Sequence, residues 1–299
     1  MAKGYLAIIA ASILYGIMPV LSKELLLEGM NSNSIVVWRF GFSAVFCLAI
    51  MWIKKISFKA SFRQIRAMVT VGILGFGLTA TLLTASYSYI PVGLATMFHF
   101  SYPLFVLLIM VAITRERLGS LRAIAAVCVV AGLVLMMDFH GGANYTGMIL
   151  ALLSGITYAL YVVSNQKSCF RMLDGFTSMF YVLVASSVFF TLQSLISGSL
   201  MAPATPKGWL LAMSIGLFCT VISLRLLLYG ISVLGAANAS ILNILEPLTS
   251  LAAGILIYGD RLSGLTIAGC FLVILAILLV SFAGRRSVKK QNERLKNKD

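Results

Sequence analysis

The sequence predicts an all-α integral membrane protein in which ten transmembrane helices form two inverted five-helix repeats, with both termini cytoplasmic. Three observations lead there: composition, the placement of basic residues and an internal repeat. Of 299 residues, 60% are hydrophobic and only 11% charged, whereas soluble domains approach a quarter charged. A hydrocarbon core about 30 Å thick takes roughly 20 apolar residues per helix, so a chain of this length has room for about ten spans and no separate soluble domain. Its mean hydropathy of +1.00 agrees.

Taken in order, the apolar segments run over 4–22, 34–53, 67–89, 92–114 and 120–138, then 146–165, 176–197, 208–229, 235–258 and 264–284, each near spanning length. The first follows Lys3 and continues through Pro19 with no small-residue cleavage site, so it reads as a span and not a removable signal. The third and fourth are joined almost directly through Tyr89, Ile90 and Pro91, and the eighth and ninth by the short stretch Gly230 to Gly235. These two hairpins are the expected gates. Gly72, Gly75, Gly77 and Gly93 allow close helix approach. The alternating pattern of a membrane barrel is missing, so the spans are helices. Cys47, Cys128, Cys169, Cys219 and Cys270 are scattered singly and read as small buried hydrophobes, with no metal-ligand spacing.

The charge is lopsided, with 23 Lys and Arg against 9 Asp and Glu and a net charge of +14. In a soluble protein that balance suggests nucleic acid; in a membrane protein it first marks topology, because basic loops stay cytoplasmic. With the N-terminus inside, the cytoplasm receives Lys3, the group Lys54, Lys55, Lys59, Arg63 and Arg66, then Arg115, Arg117 and Arg122, then Lys167 and Arg171, and the tail from Arg285 to Lys298. Only Lys23, Lys207 and Arg261 fall outside, while Arg39 and Arg225 lie within spans. The charge is an orientation signal, and no nucleic-acid partner is expected. The tail, 285–299, is solvated or rests on anionic lipid.

Sliding the chain along itself by 143 to 144 residues overlays Gly4 to Lys23 on Gly147 to Gln166, Tyr102-Pro103-Leu104 on Glu246-Pro247-Leu248, and Glu116-Arg117-Leu118 on Asp260-Arg261-Leu262. The repeats are therefore 1–141 and 142–284. Five spans per copy force the second copy through the membrane in the opposite sense, a plan of secondary transporters whose substrate sits near the midplane between the halves.

These features, together with Trp38-Arg39-Phe40 early in the second span, resemble the drug/metabolite transporter superfamily, specifically its EamA branch. The resemblance covers nearly the whole chain. It implies a multi-pass carrier of the bacterial inner membrane, often an exporter of amino acids or related metabolites, working by alternating access on a small-molecule substrate within the lipid bilayer. It implies no cofactor.

An ionisable side chain at the bilayer centre is expensive and should face a cavity or a partner. Glu246, halfway along the ninth span, is the one carboxylate so placed. The repeat maps His99 onto Asn243, Tyr102 onto Glu246 and Thr96 onto Ser240, three residues apart in each copy, so each set forms one polar stripe. The stripes should meet across the pseudo-twofold axis and bind substrate, with Glu246 as the proton-coupling candidate and Tyr102, Tyr158 and Tyr15 as flanking rings. The competing reading has Pro103 and Pro247 simply kinking their helices, with Glu246 held against the backbone groups a proline frees. Arg39 and Arg225 are close enough to the span ends to snorkel to the head groups; Arg39, with Trp38, is alternatively a gating or structural residue.

An exporter of small amphipathic metabolites, amino acids foremost, is the leading expectation. A multidrug or hydrophobic-cation exporter of the same fold is the rival, and a nontransporting receptor or scaffold is more remote. An enzyme is not expected, since the two histidines, His99 and His140, offer no metal cluster or nucleophile and base pair. Nor is there a Gly-rich nucleotide loop, so ATP is not the direct energy source; protons are the candidate coupling ion.

Overall fold

The computed structural model describes residues 2–115, 120–137, 144–170, 172–235, 239 and 242–279. Among them every regular element is helical: α1 (Ala2–Leu27), α2 (Ser32–Ile53), α3 (Phe62–Ser86), α4 (Val92–His99), α5 (Tyr102–Thr114), α6 (Ser120–Met136), α7 (Tyr145–Lys167), α8 (Gly175–Ile196), α9 (Pro206–Leu234), α10 (Leu245–Tyr258) and α11 (Gly264–Leu279). With α4 and α5 sharing one apolar stretch, these are the ten expected helical spans. Seven are long and apolar enough to cross a membrane outright, and α6, α10 and α11 are shorter apolar helices.

Local chemistry starts the helices where polar residues interrupt the apolar runs. The side chains of Asn31, Asn144, Asp174 and Thr205 accept backbone N–H groups at the starts of α2, α7, α8 and α9, and Ser61 with Gln64 forms a capping box on α3. That box moves the start of the third span from the expected 67 to Phe62, so Arg63 and Arg66 stand on the helix and not in the loop. The connection expected at Gly230 to Gly235 is also corrected. The helix continues to Leu234 because Gly230 packs directly on Ile8 of α1, and the chain turns only at Gly235, whose φ of 80° suits glycine. Many Leu, Ile, Val and Phe side chains along the helices are exposed, as a lipid-facing surface requires. Cys47, Cys219 and Cys270 are buried as expected, whereas Cys169 is exposed in the connection before α8.

Two irregularities repeat in both halves. A π-helical turn occupies Gly72–Gly77 in α3 and its counterpart Leu217–Ile222 in α9. Such turns leave carbonyls poorly served by the helix, and hydroxyls take them up. Ser186 Oγ donates to Gly72 O at 2.9 Å, Ser43 Oγ to Gly216 O at 3.1 Å, Thr220 Oγ1 to Ile215 O at 3.0 Å and Ser223 Oγ to Phe218 O at 2.6 Å. The second irregularity is a break in the fourth span at Phe100 and Ser101 and its equivalent at Asn243 and Ile244 before α10. Pro103 and Pro247 have no N–H to return to the residue four back, so each helix restarts there instead of merely bending. His99 and Tyr102 are therefore not on one continuous helical stripe, and neither are Asn243 and Glu246.

Glycine lets the halves come together at this level. A Cβ on Gly16 of α1 would stand 2.6 Å from Glu246 O and from Thr249 Cβ, and one on Gly93 of α4 would stand 2.6 Å from Leu251 Cα. The close approaches expected at Gly72 and Gly93 are present, the former against Val182 O of α8. Gly16→Val should destabilise the protein by about 1–3 kcal/mol, the usual cost of overpacking, because the obstructing atoms are a backbone carbonyl of Glu246 and the branched Cβ of Thr249, neither of which can swing away. Thermal unfolding in detergent measures this, with Gly264→Ala, where nothing lies within 4 Å, as the unchanged control.

Candidate functional site

The breaks and π-turns surround one cavity of about 140 Å³ between the two halves. From the first half come Tyr15, Arg39, Phe76, Thr79, Thr96, His99, Phe100 and Tyr102; from the second come Tyr158, Tyr161, Thr220, Asn243 and Glu246, with Met179, Val182 and Leu183 of α8. Of the expected substrate-binding residues, Tyr15, Thr96, His99, Tyr102, Tyr158, Asn243 and Glu246 thus meet here. Ser240 lies outside the described residues, as do His140 and Glu116-Arg117-Leu118.

Asn243, Glu246, His99 and Thr96 are each held by a polar neighbour. Ser12 Oγ donates to Asn243 Oδ1 at 3.2 Å, and Asn243 Nδ2 in turn donates to Glu246 Oε2 at 3.1 Å, leaving Oε1 without a partner among the described residues. His99, 7% exposed, has Nδ1 2.9 Å from Ser154 Oγ of α7, which itself donates to Ala151 O. Thr96 lies at the wall, but its hydroxyl is committed to Val92 O and to Ser250 Oγ, at 2.8 and 2.9 Å. Tyr102 and Tyr158 meet edge to face with centroids 4.8 Å apart, and His99 stands 5.2 Å from Tyr158 and 5.8 Å from Tyr102. Phe76 stacks toward Tyr161 at 5.1 Å and completes the aromatic wall.

Arg39 does not snorkel. It is 7% exposed and turned inward, its Nε donating to Thr220 Oγ1 at 3.2 Å and its guanidinium carbon 5.2 Å from the ring of Phe40 and 5.9 Å from that of Phe76. The π-turns explain this orientation, since they bring Phe76 and Thr220, equivalent residues of the two copies, to either side of it. Arg225 is exposed, as the snorkelling reading required, with its guanidinium 5.7 Å from the ring of Phe176. Trp38, Pro103 and Pro247 do not line the cavity. Trp38 donates from Nε1 to Met201 O at 2.9 Å and packs edge-on against Trp209 at 4.7 Å, locking α2 to the start of α9. The two prolines act through the breaks.

Sequence reasoning missed Phe76, Thr79, Tyr161 and Thr220. Phe76 and Thr220 are related by 144 residues, so applying the repeat to the glycine-rich stretch of the third span pairs them. It also missed a polar cluster at the end of the bundle away from Lys54, Lys55 and Arg115. There Lys23 Nζ donates to Tyr87 O, Tyr258 Oη donates to Glu24 Oε1 and contacts Val20 O, both at 3.1 Å, and Lys207 Nζ lies 2.8 Å from Glu24 Oε2 and 4.0 Å from Glu28 Oε1. Thr205 Oγ1 donates to Glu28 Oε2 at 2.9 Å. The cluster ties α1 to α9, α10 and the turn after α3.

Asp260, in the connection after α10, sits beside this cluster. Burial raises its carboxyl above the ordinary 3.8, and Lys23 opposes the shift. A carboxyl whose folded pKa exceeds its unfolded one makes the folded state bind more protons, so it subtracts stability as pH rises from the unfolded value through the folded one. Asp260→Asn removes that loss. Its melting temperature in detergent should match the wild type near about pH 4, exceed it as the pH rises through the raised folded value, and gain nothing further above that; a variant less stable at neutral pH contradicts this account.

Known proteins agree with the architecture. The sequence pattern of the EamA-like transporter family matches residues 2–138 and again 145–282. The chain is 24% identical over 271 residues to an S-adenosylmethionine uptake transporter of Rickettsia bellii (strain RML369-C), covering 88% of each. It is 23% identical over 292 residues to the uncharacterized transporter YojE of Bacillus subtilis (strain 168), covering 94% of each. A protein of known crystal structure shares the fold with a TM-score of 0.65 at 15% identity, over 96% of this chain and 99% of that one. With two matches to the family pattern spanning nearly the whole chain, this multi-pass helical bundle is a membrane transporter of small molecules and not an enzyme, and the chain belongs to the EamA-like transporter family.

Proposed function

We propose that this transporter is a secondary carrier that exports small amphipathic metabolites, amino acids foremost, across a bacterial inner membrane by alternating access, with the basic connections and both termini cytoplasmic. The observation that carries the proposal is the cavity itself. It is walled by equivalent elements of the two repeats, apolar and aromatic over most of its surface, with one carboxylate and one guanidinium. Opposite-sense repeats around a midplane site make two openings interchangeable.

The polar cluster of Lys23, Glu24, Glu28, Lys207 and Tyr258 then lies on the extracytoplasmic face, where it joins the halves as an inward-facing carrier awaiting cytoplasmic cargo requires. The cavity has room for on the order of ten water-sized atoms, which suits a single amino acid. The S-adenosylmethionine named for the Rickettsia relative also carries an α-amino acid group, so the chemistry of the head group is common to both. Import and export differ in a secondary carrier only by the direction of the driving gradient. Glu246 is the proton-coupling group in this reading, because it is the carboxylate that meets the cavity from the helix break. A second reading, a carrier of hydrophobic cations, is favoured by the aromatic wall beside a carboxylate.

Proteoliposomes loaded with labelled amino acids test this. Efflux should saturate and depend on external pH. Glu246→Gln should slow it by about tenfold, the worth of one charge-assisted contact, and flatten the pH profile. An unchanged pH profile removes proton coupling through Glu246, and transport of hydrophobic cations alone selects the second reading.

A further inference from the structure

Two opposite charges line the same cavity and do not neutralise each other. Arg39 comes from α2 and Glu246 from α10, and among the described residues the ion pairs within 4.0 Å are those of Lys207 with Glu24 and Glu28. Each charge is steadied by neutral groups of its own. Arg39 has the Thr220 hydroxyl and the faces of Phe40 and Phe76; Glu246 has the amide of Asn243, itself oriented by Ser12.

A guanidinium offers five N–H donors. One of those of Arg39 is used, and the other four have no partner among the described residues although the side chain is more than nine-tenths buried. Glu246 likewise keeps Oε1 open. If the charges served only to cancel one another in a low-dielectric setting, direct pairing would be the cheapest arrangement. Holding them apart, each with unused hydrogen-bonding capacity facing one space, fits a ligand that supplies both complements. The planar donor fork of Arg39 matches a carboxylate, and the open oxygen of Glu246 matches an ammonium.

We infer that Arg39 and Glu246 are the two poles of a zwitterion site, Arg39 anchoring the carboxylate and Glu246 the ammonium of an α-amino acid, whose side chain lies against the wall of Tyr15, Phe76, Tyr102, Tyr158 and Tyr161. The inference rests on the carrier reading and sharpens it from amphipathic metabolites to molecules bearing both charges. It makes Arg39 a specificity-determining residue, since a hydrophobic amine satisfies Glu246 yet leaves the guanidinium unpaired, and an unpaired buried charge is costly. It also explains why the second repeat has no basic counterpart to Arg39 and the first no acidic counterpart to Glu246: two arginines would select anions and two carboxylates cations in place of a zwitterion.

Calorimetric titration of the purified full-length protein in nanodiscs tests it with two ligand sets. One is L-phenylalanine, phenethylamine and 3-phenylpropanoate; the other is L-leucine, 3-methylbutylamine and 4-methylpentanoate. In at least one set the amino acid should bind about tenfold or more tighter than both its amine and its acid. Arg39→Gln should weaken the amino acid and strengthen the amine until the two bind alike, while Glu246→Gln should weaken the amino acid to the level of the acid. Arg39→Lys, which keeps the charge but not the fork, should fall between. Equal binding of amine and amino acid by the wild type, no binding of any of the six, or an Arg39→Gln loss shared equally by amine and amino acid overturns the inference. Should a variant fail to purify as a single species, the wild-type comparison decides alone. Counterflow of labelled amino acid in proteoliposomes separates the two levels: flux without this discrimination sinks the zwitterion site and leaves the carrier standing, whereas discrimination without flux does the opposite.

Discussion

Hydrocarbon accepts no hydrogen bonds, so a backbone inside it must satisfy its own N–H and C=O groups, and irregular backbone survives only where protein or a cavity covers it. The rest of this structure follows from that constraint. The two breaks before Pro103 and Pro247 and the two π-turns at Gly72–Gly77 and Leu217–Ile222 would be intolerable on the lipid face. All four border one cavity, and carbonyls at the π-turns are taken by Ser43, Ser186, Thr220 and Ser223. The cavity is where the bundle concentrates its irregular backbone.

The same constraint governs the side chains. A buried guanidinium and a carboxylate are admitted because each has neutral company that holds it without cancelling it, and because both open on the cavity and not on lipid. Hydroxyls and aromatic faces do this work for Arg39, and an amide does it for Glu246. Equivalent positions of the repeats share the task while differing in chemistry: Phe76 pairs with Thr220, His99 with Asn243 and Tyr102 with Glu246. The backbone keeps the twofold plan and the side chains break it. A carrier needs both, since symmetry of the frame permits exchange of the two openings and asymmetry of the lining permits selection of cargo.

At the end away from the basic connections the halves are held differently. Tyr258, Glu24, Lys207 and Lys23 form polar contacts that are partly solvated and therefore individually weak. Gly16 and Gly93, by contrast, bring their helices against Glu246 and Thr249 and against Leu251 of α10, where small residues set helix distance.

Spacing and composition were enough for the number of spans, the doubling of the unit and most of the polar lining, because each is written in positions along the chain: apolar runs of spanning length, a 144-residue offset and a few ionisable residues where lipid forbids them. Glu246, His99, Asn243 and the three tyrosines were legible for that reason. Arg39 was misread as a snorkelling side chain, since distance from a span end says how far a guanidinium reaches and not which way it turns. Only the packed structure decides that, by setting Phe76 and Thr220 on either side of it. The π-turns, through Ser43 and Ser186, and the polar cluster around Glu24 likewise depend on partners some 60 to 230 residues away along the chain, and a linear sequence does not state which of its hydroxyls will meet which carbonyl. The sequence by itself therefore determined the frame, through the period of its hydrophobicity, and the tertiary structure decided the chemistry of the site, through the directions in which its few polar groups are held.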